Sequence, residues 1–225
     1  MRLRKLAYAC ITGIVMSGPI QTALAYEAGD WLVRGRIIDV NPNDDSGDLY
    51  TGAGNLAEGV SVNEDTVPEL DITYMLSPYW GLELILAYSQ HDVDSRGVPS
   101  GLGLGKVIDA MVLPSTLTLQ YHFLPNATVR PYVGLGVNYT HFFDESVSGV
   151  LDQPGAKVKL DASWGLAAQA GIDIDINQDW FANLDVKYID IQTEARFSGI
   201  NLVNTANINT EINPFVYGIG IGRRF

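Results

Sequence analysis

From Trp31 onward, apolar and polar residues alternate with a period of two, the spacing of strands that carry one apolar face. Leu70, Ile72, Tyr74 and Leu76 alternate with Glu69, Asp71 and Thr73, and Trp80, Leu82, Leu84, Leu86 and Tyr88 hold the apolar places of the next segment. The series continues through Leu117–Phe123, Val133–Tyr139, Trp164–Ile174 and Trp180–Tyr188, and closes with Phe215–Ile221 and the terminal Phe225. With Trp31–Val40 at its head, the pattern predicts eight strands.

The connections alternate too. Ser77–Tyr79, Leu124–Val129 and Ile176–Asp179 are short turns, whereas Asn41–Glu64, His91–Met111, Asp144–Val158 and Ser198–Thr210 are long and polar. Short on one side and long on the other is how membrane barrels are strung. A soluble sandwich or lipocalin-like barrel would also alternate, but its polar face would be its surface. Here the polar set is rich in Gly, Thr, Asn and charge, while the apolar set ends in aromatics beside short turns or termini: Trp31, Tyr74, Trp80, Tyr121, Phe123, Trp180 and Phe225. Such a rim suits the membrane interface. The expected fold is all-β, an eight-stranded antiparallel transmembrane β-barrel with short periplasmic turns and longer extracellular loops.

Residues 1–25 have a basic start (Arg2, Arg4, Lys5), a short apolar stretch and Ala23-Leu24-Ala25, the form of a signal peptide cleaved after Ala25. Residues 26–225 are then the outer-membrane barrel. The sole cysteine, Cys10, falls in the leader, so the barrel has no disulfide or thiolate chemistry. Removing the leader leaves 11 basic against 26 acidic residues, a net −15. Nucleic acid, which needs a basic stripe, is excluded as a partner.

Strand parity sorts the lumen. Taking the aromatic-ended face as lipid-facing, the inward residues near the short turns are Arg34, Arg36, Asp71, Glu83, Gln120, His122, Asp173, Asn183, Asp185 and Arg224. Side chains fill so narrow a barrel, so these charges are expected to pair and close a floor. Above them Ile38, Ile85, Ile189 and Ile191 point inward, with Lys187 among them. This describes a cup whose solute would have to leave sideways through the wall, for which strand breaks at Pro68, Pro114 or Pro214 are candidates.

No catalytic residues, cofactor or metal site are expected. The histidines are dispersed, with His91 at a loop edge, His122 near the floor and His141 outward, and none forms a His-x-Ser pair on one strand face. The 101–106 run fails as a phosphate loop, since Ser100 and Val107 replace its first glycine and its Ser/Thr. Asp44, Asp45 and Asp48 suggest a cation bridging lipopolysaccharide phosphates, but a solvated acidic loop is the better reading.

The motifs Glu27-Ala28-Gly29-Asp30-Trp31, Trp80-Gly81-Leu82-Glu83-Leu84, Arg130-Pro131-Tyr132-Val133-Gly134, Asp161-Ala162-Ser163-Trp164-Gly165 and Ile212-Asn213-Pro214-Phe215, in this order, make the chain resemble the OmpW family of outer-membrane proteins. The resemblance implies an eight-stranded barrel in the Gram-negative outer membrane, helping small hydrophobic molecules across; some relatives import alkanes and some serve as toxin receptors. It also implies that Phe225 is the signal read by the barrel-assembly machinery, with outer-membrane lipids and lipopolysaccharide as neighbours. Ile85 matches the family's apolar gate, whereas Lys187 replaces an expected apolar residue. A structural or receptor barrel is the alternative function, and a lipid-modifying enzyme the third.

Overall fold

The computed structural model describes residues 25–43, 45–46, 49–51, 54–57, 60–95, 105–149, 152–200 and 203–225; the leader up to residue 24, Asp44, Asp48 and residues 96–104 lie outside them. Its strands are β1 (Trp31–Asn41), β2 (Asp45–Ser46), β3 (Leu49–Thr51), β4 (Gly54–Ala57), β5 (Val60–Val62), β6 (Asp65–Met75), β7 (Trp80–Ala87) and β8 (Ser89–Ser95). They continue as β9 (Lys106–His122), β10 (Val129–Val147), β11 (Lys157–Leu160), β12 (Ser163–Asp175), β13 (Trp180–Ile189), β14 (Gln192–Ile200), β15 (Val203–Glu211) and β16 (Phe215–Arg224).

Eight of these are the staves. Each pairs antiparallel with both neighbours in the order β1, β6, β7, β9, β10, β12, β13, β16, and β16 pairs back onto β1 from Leu32↔Arg224 to Asn41↔Phe215. Closure satisfies backbone groups that hydrocarbon could not solvate. Register then sends alternate side chains to opposite faces. Val33, Leu84, Leu117, Leu135, Leu166 and Ile219 face out, while Arg34, Glu83, Thr118, Gln169 and Asp185 are buried within.

Aromatic residues ring the short-turn end, with Trp31 4.9 Å from Tyr74, Trp80 4.9 Å from Tyr121 and Tyr121 5.2 Å from Phe123. A second ring, not anticipated from the sequence, circles the loop side: Tyr139 lies 4.7 Å from Trp164, Tyr188 5.2 Å from Phe215 and Tyr88 6.1 Å from Phe143. Two rings bracketing an apolar band are the mark of a barrel seated across both interfaces.

The long connections differ from expectation. Parts of 91–111, 144–158 and 198–210 are strand, because β8, β9, β10, β11, β14 and β15 carry the wall beyond the membrane. Outside the hydrocarbon zone the outer face turns polar (Gln90, Glu194, Asn209), which gives these segments a loop-like composition. Their inner face stays apolar, at Val93, Ile108, Ala195, Phe197 and Ile208.

The extended wall has a seam. The β10–β12 ladder ends at Thr140↔Ser163, and β10 runs on to Val147 paired with β9 alone, while β11 pairs with β14. Among the described residues no ladder joins β10 to β11, where Glu145 Oε1 accepts the Leu160 N–H at 3.5 Å. The prolines stand at ladder ends. Pro68 lies opposite Ile37 of β1 and Pro114 opposite Thr140 of β10, but the β6–β7 ladder stops at Glu69↔Ala87 and the β7–β9 ladder at Leu86↔Ser115; the Pro214 carbonyl accepts the Ile189 N–H at 3.2 Å.

The tight turns share one design. Ser77 Oγ accepts the Trp80 N–H at 3.1 Å, and Asn177 Oδ1 accepts those of Trp180 and Asp179 at 3.0 Å each. These side chains replace backbone partners that the turn removes. Asn177→Ala should lower unfolding free energy by about 1–2 kcal/mol, the worth of two such bonds, read from urea titration in lipid vesicles. No change in midpoint would show that the turn is set elsewhere.

Candidate functional site

The lumen floor is built on β1. Arg34 and Arg36 are adjacent inward positions, and an eight-stranded interior leaves their guanidinium groups no water to turn to. Arg34 grips Asp173 of β12 through Nη2 at 2.8 Å and Nε at 3.3 Å, and also donates to Thr73 Oγ1 at 2.7 Å and Glu83 Oε1 at 3.2 Å. Arg36 lies 2.6 Å from Asp71, 2.9 Å from Asp185 and 3.3 Å from Glu83. The second Glu83 oxygen accepts Gln169 Nε2 at 2.6 Å, Gln120 Nε2 at 2.7 Å and Thr118 Oγ1 at 3.1 Å. Asn183 donates to Asp173 Oδ1 at 2.8 Å. One connected network thus spans six staves and fills the bore.

Room for it comes from inward glycines. A Cβ at Gly171 would strike the Tyr132 ring and one at Gly222 the Phe181 ring, so these positions let aromatic rings lie flat across the lumen. Tyr132 donates to Asp185 at 2.8 Å, and the Arg34 guanidinium stands 5.5 Å from the Tyr132 centroid and 5.4 Å from that of Phe181.

Several parts were not anticipated. Tyr26 turns up into the floor, donates to Asp173 at 2.9 Å, and carries the Arg130 guanidinium 4.2 Å from its ring; Arg130 is paired with Asp175. Parity shared with Gly134 puts Arg130 and Tyr132 inside, and Glu69 shares the parity of Asp71, so these were recoverable from the pattern. Tyr26 precedes every strand and had no such signal.

Arg224 donates to the carbonyls of Ala25 at 2.9 Å and Gln178 at 2.8 Å, which ties the last strand to the short-turn rim. Lys187 is no gap in an apolar gate. Its long side chain reaches Glu69 at 2.6 Å and Asp185 at 3.2 Å, making it the top rung of the ion network. His122 lies in the floor, 5.3 Å from the Tyr26 ring.

Above this rung the lumen becomes apolar. Ile38, Ile85, Ile189 and Ile191 join Val67, Val112 and Val216 around one apolar cavity. Phe142 and Leu160 border both this cavity and a second cleft, lined by Tyr139 and His141, at the β10–β11 seam.

A sequence profile described as the OmpW family matches residues 27–225. The chain belongs to the OmpW family. This OmpW-family barrel is a Gram-negative outer-membrane protein, 38% identical over 221 residues to outer membrane protein W of Vibrio cholerae serotype O1, covering 96% of this chain and 98% of that one. It superposes on the crystal structure of the outer membrane protein OprG from Pseudomonas aeruginosa with a TM-score of 0.83 at 38% identity, covering 89% of this chain and 98% of that one. The dibenzothiophene metabolism operon protein PahQ of Pseudomonas aeruginosa is 28% identical over 201 residues, 88% of this chain and 90% of that one.

The OmpW-family floor holds Arg34, Arg36 and Lys187 against Glu69, Asp71, Glu83, Asp173 and Asp185. Breaking a buried pair from one side costs about 3–5 kcal/mol, so the closed state is strongly held. Replacing Arg34 and Arg36 together with Ala should hydrate the floor and give larger, cation-selective currents in planar bilayers. The milder Tyr26→Ala should raise conductance less, and Arg224→Ala should not change selectivity. Unaltered currents in the folded double variant would place the constriction elsewhere.

Proposed function

We propose that this barrel takes small apolar molecules from outside into the upper lumen and releases them sideways into the outer leaflet. The observation that carries this reading is an apolar cavity resting on a closed ionic floor and meeting the wall's unpaired seam. A solute burying about 150 Å² there gains roughly 4 kcal/mol at ~25 cal/mol per Å², a millimolar affinity that permits both entry and departure. Descent would require parting several buried pairs at about 3–5 kcal/mol each, more than the solute brings. Sideways movement at β10–β11 needs Phe142 and Leu160 to swing apart and the Glu145–Leu160 contact to part, but no ladder has to be broken there. The PahQ relative supports the solute class, since dibenzothiophene is an apolar aromatic.

Release into the leaflet makes outer-membrane lipid the acceptor, with lipopolysaccharide around the outer rim. The terminal Phe225 exchanges backbone bonds with Trp31 at 2.9 and 3.1 Å, presenting its exposed ring beside the closing strands as a handle for the barrel-assembly machinery. Deleting Phe225 should reduce the amount of folded protein at the cell surface, measured by surface labelling. Wild-type surface levels would make the residue dispensable.

The transport reading is tested with cysteines at His141 and Lys159, bridged by oxidation or a short dithiol-reactive linker; Cys10 is the only native cysteine. Bridging the seam should stop uptake of a labelled apolar solute into proteoliposomes, and reduction or linker cleavage should restore it. Full uptake by the locked, folded barrel would refute release at this seam. Absence of uptake by the unlocked protein would favour a structural or receptor role.

A further inference from the structure

The wall of the apolar cavity contains a serine beside a histidine. Ser89 and His91 are two apart on β8, so both side chains enter the lumen, and both are buried. His91 Nε2 lies 3.0 Å from Ser89 Oγ, and His91 Nδ1 lies 3.0 Å from the backbone carbonyl of Asn63.

These contacts fix the protons. A carbonyl oxygen has no hydrogen to give, so Nδ1 of the neutral ring must carry the proton and donate it to Asn63. Nε2 is then an acceptor, and Ser89 Oγ–H is the donor between the two side chains. A hydroxyl hydrogen-bonded to a base, with the base held in orientation by a third group, is the arrangement of an activated nucleophile. Asn63 is itself held in place, its N–H donating to the Asp92 carbonyl at 3.2 Å and its side chain to Asp94 at 3.3 Å.

The setting selects the substrate. Ser89 and His91 share the cavity wall with Val60, Ala110 and Val112, so a molecule reaching Ser89 must be largely apolar. It must also carry an electrophilic carbonyl, because that is what a serine with a neighbouring base attacks. We propose that Ser89 is a nucleophile, with His91 its general base and the Asn63 carbonyl its positioning group, that cleaves small apolar carboxylic esters entering the lumen.

The Ser89 oxygen bonds to the ester carbonyl carbon while its proton passes to His91 Nε2. The ester C–O bond breaks, the alkoxide takes that proton and leaves as the alcohol, and the acyl group stays on Ser89. Water, entering from the extracellular mouth, loses a proton to His91 and attacks the acyl carbon. The carboxylic acid departs and the proton returns to Ser89. This activity goes beyond transport and does not require lateral release.

General-base activation contributes about 10²–10⁴-fold, so covalent capture reads the dyad more directly than turnover. Folded protein, verified by its mobility on unboiled gels, is treated with diisopropyl fluorophosphate and with a short alkyl fluorophosphonate, and the adduct is mapped by mass spectrometry. A single adduct on Ser89 is expected, absent in Ser89→Ala and formed about 100-fold more slowly in folded His91→Gln. Hydrolysis of 4-nitrophenyl butyrate should fall with the same two substitutions. Folded wild-type protein that neither reagent labels, an adduct at another residue, or labelling at an unchanged rate in His91→Gln would each overturn the proposal. A seam-locked barrel should label as the open one does, which separates this result from the fate of the transport reading.

Discussion

A backbone N–H or C=O left unpaired in hydrocarbon costs several kcal/mol, and the pairing of β1 with β16 as well as β6 removes the last such row from the spanning wall. Everything else in the barrel is arranged around that closure. With eight staves the bore is narrow, so the inward charges of the floor pair across the axis. Arg34 reaches β12 for Asp173, and Lys187 of β13 reaches β6 for Glu69. The inward glycines serve the same end, since Gly171 and Gly222 are where the rings of Tyr132 and Phe181 lie.

Two ways of filling the bore divide it. Below Lys187 the contents are ionic and mutually bonded, which makes removal of any one member expensive because its partner remains buried. Above Lys187 the contents are aliphatic side chains that leave space between them, and apolar cavities of this kind hold apolar guests. The boundary is one residue deep. Glu69 faces the cavity from below while accepting Lys187, so the floor ends in a neutralised pair rather than a bare charge. The seam at β10–β11 begins directly beside the second aromatic ring, one residue past the Tyr139–Trp164 pair.

The period of two, the aromatic rim and the inward charges of Arg34, Arg36, Asp71, Glu83, Asp173 and Asp185 were all legible, because strand parity is a local property of the chain. The β8, β14 and β15 extensions were not. Beyond the membrane the outer face carries Gln90, Glu194 and Asn209, and the apolar alternation survives on one face only. The Arg224 contacts were unreadable for a related reason: parity gives a side, but not the carbonyls of Ala25 and Gln178 that lie within reach.

The sequence by itself determined an eight-stranded membrane barrel and which side of the wall each stave residue faces, because covalent geometry makes successive side chains alternate whatever the neighbours are. Only the tertiary structure decided which charges meet, that Lys187 belongs to the ionic floor, that Tyr26 reaches Asp173, and that Asn63 orients His91. Those facts depend on the relative stagger of strands far apart in the chain. Stagger is set by the whole closed ladder at once, and no single segment carries it.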